Sequence, residues 1–98
     1  MELRRVVNCL KLLNWETRLP EGCPVDDWFE RFVTRGAERL PGRMPGLSRL
    51  HFRGHELVVV ERSGRVTIRL DVDTPHLERR HAAEWVFQKI VDVTQRPR

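Results

Sequence analysis

The sequence predicts a single α+β domain in the order α-α-β-β-β-α, a three-stranded antiparallel meander packed on helices. Three observations carry that prediction. Two glycine-containing pairs, Gly54-His55 and Ser63-Gly64, punctuate residues 48–72 at the spacing of consecutive two-residue hairpins. Between them the apolar residues alternate, so that Leu50, Phe52, Leu57, Val59, Ile68 and Leu70 share one face of the sheet. Flanking stretches instead repeat their apolar residues at helical spacing.

Residues 2–14 set Leu3, Val6, Val7, Leu10 and Leu13 on one helical face, with Arg4, Arg5, Asn8 and Lys11 off it. A helix is expected, and Val6-Val7 leaves a short strand as the alternative. Residues 15–24 read as a connector broken by Pro20, Gly22 and Pro24. The second helix begins with Pro24 at its first position, and Asp26 and Asp27 complement the positive end of its dipole. Its stripe is Val25, Trp28, Phe29, Phe32, Val33, Ala37 and Leu40, ending at Pro41-Gly42. Gly36 lies inside that stripe and weakens it by about 1 kcal/mol relative to Ala.

Closing the two turns pairs Phe52 with Leu57, Leu50 with Val59, Val59 with Ile68 and Leu57 with Leu70. The final helix is expected to use Thr74 as its cap and Pro75 as its first residue. Ala82, Ala83, Val86, Phe87, Ile90, Val91 and Val93 form its apolar arc, while Trp85 falls toward the wet side. The chain is thus one domain over residues 1–98, with 1–23 a helix plus connector and 24–95 the compact core.

Composition narrows the function. The 98 residues carry a net charge of +4, with sixteen Arg against two Lys. Residues 49–70 hold five arginines and two glutamates, so most of the excess lies in the sheet. No apolar run approaches the roughly 18–20 residues of a membrane span. The opening Met1-Glu2-Leu3-Arg4-Arg5 has no apolar signal core, so a cytoplasmic location and reduced thiols at Cys9 and Cys23 are expected. No cofactor and no metal is expected either. The four histidines lack ligand spacing, and there is no phosphate loop, nucleophile elbow or Cys-x-x-Cys.

The sheet face opposite the core is expected to carry Arg49, His51, Arg53, Arg62, Arg65 and Arg69 around Val58 and Val60. Guanidinium groups in a row match phosphate oxygens. The first expectation is therefore a small non-enzymatic module binding nucleic acid, DNA or RNA. It would use Arg49, Arg53, Arg62, Arg65 and Arg69, with Arg79 and Arg80 extending the patch. The alternative is a protein-interaction or regulatory module, a homodimer or a small inhibitor, anchored by Val58, Val60 and Trp85 with arginine at the rim.

Three layouts resemble this one. Residues 24–95, helix, three strands, helix, follow the order of a double-stranded-RNA-binding domain, and Glu78-Arg79-Arg80-His81-Ala82-Ala83 looks like the start of its basic final helix. The three strands plus final helix resemble the arm-binding domain of phage integrases, which implies a sheet pressed into a DNA groove. Size, helices and an Arg- and His-bearing sheet resemble RelE-type ribonuclease toxins. That likeness requires residues 2–8 to be a strand joining the sheet, and no catalytic residue carries over from it; a general acid or base would have to be a histidine within reach of a bound phosphate, and His51 is the only one expected on the outer face.

Overall fold

The computed structural model describes residues 1–6, 11–41 and 45–95. Val7, Asn8, Cys9 and Leu10, counted above toward a first helix, lie outside the described residues. The elements are β1 (Arg4–Arg5), β2 (Asn14–Arg18), α1 (Val25–Thr34), β3 (Glu38–Leu40), β4 (Leu47–Phe52), β5 (His55–Val60), β6 (Arg65–Arg69), a 3-10 turn (His76–Glu78) and α2 (Arg79–Gln95). The class is α+β, with helices packed on an antiparallel sheet. That sheet has six strands rather than three, in the order β1-β2-β6-β5-β4-β3.

The helix expected over residues 2–14 is replaced at both ends by strand. Arg4 and Arg5 pair with Glu16 and Trp15, and Asn14–Arg18 pair along β6. The physical reason lies in the stretch read as a connector. Trp15, Thr17 and Leu19 are buried and alternate with Glu16 and Arg18, a period of two that suits a sheet. Of the strand over residues 2–8 that the toxin-like layout requires, Arg4–Arg5 is present as β1 at the edge of the sheet, and residues 7–8 lie outside the described residues.

Trp28, Phe29 and Phe32 are buried by α1, each worth about 1.5–3 kcal/mol of transfer free energy. Pro24 precedes the helix instead of opening it, and its carbonyl accepts the Trp28 N–H at 3.1 Å. The helix stops at Thr34 and does not continue to Leu40. Gly36 adopts φ +103°, closed to other residues, and the Gly36 and Ala37 N–H groups donate to the Val33 and Phe32 carbonyls. The glycine is a terminator, and Glu38–Leu40 then add the edge strand β3.

Both hairpins place the residues on the expected faces in registers two positions away from the expected ones. The first loop is Arg53-Gly54, both at positive φ (54° and 87°), the signature of a primed two-residue turn. Leu50 therefore faces Leu57, and Phe52 faces His55. The second loop runs Glu61 to Gly64, setting Leu57 against Ile68 and Val59 against Val66. A two-residue slip conserves the side-chain faces, so the core is unchanged. Leu50, Leu57, Val59, Val66 and Ile68 meet Phe32, Val86 and Ile90 in one fully buried cluster.

Thr74 does not cap α2 with its side chain, and Pro75 precedes the 3-10 turn. Asp71 organises this entry: its Oδ1 accepts the Asp73 N–H and its carbonyl accepts the Thr74 N–H, both at 3.0 Å. Among the described residues, no helix is long and apolar enough to cross a membrane.

Candidate functional site

Both helices bury their apolar faces against one side of the sheet, so among the described residues the other side carries no helix. Three cross-strand rows build that free face. The first runs Arg4, Glu16, Thr67, Val58, Arg49, Leu40, and the second Asn14, Arg69, Glu56, His51, Glu38. The third runs Arg18, Arg65, Val60, Leu47.

Charge on the face is partly spent within the molecule. Glu56 accepts from Arg49 at 2.7 Å and faces Arg69 at 3.5 Å, and Arg4 lies 3.4 Å from Glu16. Arg18 and Arg65 differ. They are direct neighbours across β2 and β6, and among the described residues neither guanidinium has an ion pair. Like charges placed directly opposite are unfavourable without a counter-charge. Beside them Arg4, Glu16 and Thr17 line a cleft of about 390 Å³. Val58 and Val60 on β5, Leu47 opposite Val60 on β4 and Leu40 on the edge strand β3 form an apolar strip on the free face, each half-buried.

Of the arginines nominated for one patch, Arg49, Arg65 and Arg69 share this face. Arg62 sits in the β5–β6 turn. Arg53 sits in the β4–β5 turn and lies over the Phe52 ring at 5.9 Å, on the helical side, because the loop begins one residue earlier than expected. Arg79 is a structural clamp, donating to the carbonyls of Lys11 (2.6 Å), Thr74 (2.9 Å) and Val72 (3.5 Å). Arg80 covers the Trp15 ring at 5.5 Å. Val58 and Val60 are together as expected, but Trp85 belongs to the helical layer, stacked on Phe52 at 5.8 Å. His51 is exposed between Glu56 and Glu38 in its row.

Sequence reasoning missed Arg18 and the leucines of the strip. The alternation Trp15-Glu16-Thr17-Arg18-Leu19 carried the necessary signal for Arg18. Among the described residues no group of three or more His, Cys, Asp or Glu could hold a metal ion. Burial pushes the half-buried Cys23 thiol above its ordinary pKa, which makes it a weak nucleophile. Comparison with protein-family models, curated proteins and solved structures found no match.

Proposed function

We propose that the protein is an interaction module whose helix-free sheet face docks a protein partner with an acidic surface. The observation that supports this is the strip of Leu40, Leu47, Val58 and Val60 lying beside Arg18 and Arg65, two cations that among the described residues have no carboxylate partner. An apolar centre with an arginine rim is the layout of a protein interface. A nucleic acid would meet fewer free guanidinium groups than the sequence promised. Glu16, Glu38 and Glu56 stand on the same face, and among the described residues no aromatic side chain projects there for base stacking. A second copy of the chain would bring an excess of arginine against itself, so an acidic surface is the better complement.

The test is affinity capture with the wild-type chain, followed by titration of the purified partner against Val58→Asp and Arg18→Glu/Arg65→Glu variants. Each variant is expected to weaken binding by about 30-fold or more while circular dichroism stays native. Equal affinity for wild type and variants would overturn the reading. Two other results would replace it. Duplex DNA or RNA affinity lost in Arg18→Glu/Arg65→Glu would move the face to phosphate recognition, and a dimeric mass that Val58→Asp halves would make the partner a second copy.

A further inference from the structure

We infer that the helical layer carries a second site, which takes single-stranded nucleic acid by stacking a base on Trp85 and holding phosphates with Arg35, Arg53 and Lys89. Three separate elements converge on it: the end of α1 supplies Arg35, the β4–β5 turn supplies Arg53, and α2 supplies Trp85 and Lys89 one turn apart. They line a cleft of about 320 Å³ floored by Phe32 and Val93. The site lies on the opposite layer from the sheet face and does not depend on its proposed role.

Trp85 is the odd member of the three tryptophans. Trp15 and Trp28 are 3% and 1% exposed, and their indole N–H groups donate to the Leu12 carbonyl and the Thr94 hydroxyl. Trp85 is 41% exposed, and among the described residues its N–H has no partner. Its ring lies nearly parallel to Phe52, 13° between planes, so the indole is held on a rigid floor. Lys89 places its ammonium 5.4 Å from the ring centroid on a stem that can swing aside to a phosphate.

Among the described residues, no carboxylate pairs with Arg35, Arg53 or Lys89, and none lines the cleft. Arg53 also holds φ at +54°, where Asn or Gly would be at ease and arginine is strained. An exposed aromatic ring among uncompensated cations is the combination that binds unpaired bases with little sequence preference. A duplex hides its base faces and cannot use the indole.

The experiment is fluorescence titration with a single-stranded oligonucleotide of about ten residues, compared with its duplex, at two ionic strengths. The oligonucleotide is expected to quench the emission of Trp85 while the blue-shifted emission of the buried Trp15 and Trp28 stays unchanged. Trp85→Leu should remove the quench and weaken binding, read by anisotropy, by about tenfold. Arg53→Asn, which suits the left-handed turn, and Lys89→Glu, on the surface of α2, should weaken it with the fold intact. Binding that survives all three substitutions, binding lost only in Arg18→Glu/Arg65→Glu, or capture of an acidic peptide but no oligonucleotide would each overturn the assignment.

Discussion

His55 opens β5 with its ring in the buried layer, and its Nδ1 accepts the Asp71 N–H at 2.9 Å. An acceptor nitrogen must be unprotonated, so the native state holds the neutral tautomer with its proton on Nε2. Burial pushes the imidazole below its ordinary value of 6.5, against the pull of the Asp71 carboxylate and with some help from His51. The unfolded chain takes its proton near 6.5, and the native state resists until the pH is lower. Between those values the unfolded state binds more protons, so this stability is fully present above 6.5 and is lost as the pH falls below it. We expect the melting temperature to decline on acidification below 6.5, before carboxylates titrate near pH about 4. His55→Asn, whose amide oxygen can accept the same bond, should flatten that decline in a calorimetric pH series. Parallel curves for the two proteins would remove His55 from the account. The sequence set this histidine in a turn, because Gly54-His55 and Arg53-Gly54 both satisfy a hairpin's need for glycine. Only the positive φ at Arg53 separates them, and nothing about an arginine announces it.

At the scale of elements, alternation was legible and termination was not. Residues 48–70 showed their two faces because each strand there repeats the period several times. A slip of two left those faces intact. β1 has two residues and β3 three, too short for any period to register. Gly36 was visible, but a helix tolerates a glycine at modest cost, and its φ alone made it a stop. The entry of α2 is held from elsewhere in the chain, by Arg79 on three carbonyls, one of them Lys11 of the segment leading into β2. Such a clamp has no sequence motif, since its partners are backbone oxygens. Arg79→Ala should destabilise the protein by about 1–2 kcal/mol, and Arg79→Lys should recover little, because an ammonium cannot span the same fork. Urea denaturation midpoints check this. An unchanged midpoint in Arg79→Ala would show that the guanidinium contributes nothing net.

For the molecule as a whole, the sheet is closed from both sides of the chain. β4, β5 and β6 form a local meander. β2 joins it from the N-terminal side at β6, and α1 then carries the chain across to β3 at the far edge. The free face exists because both helices follow the apolar cluster to one side, which leaves the six strands with one solvated surface. Amide exchange should grade outward from this plan: slowest in β5 and β6, faster in β4 and β2, fastest in β1 and β3. Exchange followed by NMR checks it, and β2 amides more protected than those of β5 would contradict the plan. Of the seven arginines grouped from sequence, Arg49, Arg65 and Arg69 reach the free face, for the same topological reason. Residues on β4 and β6 reach the free face, whereas turn and helix residues near them in sequence do not, and Arg18 enters from a strand far away in the chain.

The seat of β2 between β1 and β6 makes its pairing wait on the order of synthesis. As the polypeptide leaves the ribosome, Trp15, Thr17 and Leu19 emerge long before Val66 and Ile68, the residues that will cover their strand. Until then the leading ribbon is sticky and unmatched, and non-local pairing of this kind is slow to find. A nascent chain halted after Val60 would display that ribbon to chaperones or to neighbouring chains, whereas one extended past Leu70 could pair it within its own sheet, and one that includes α2 could bury it.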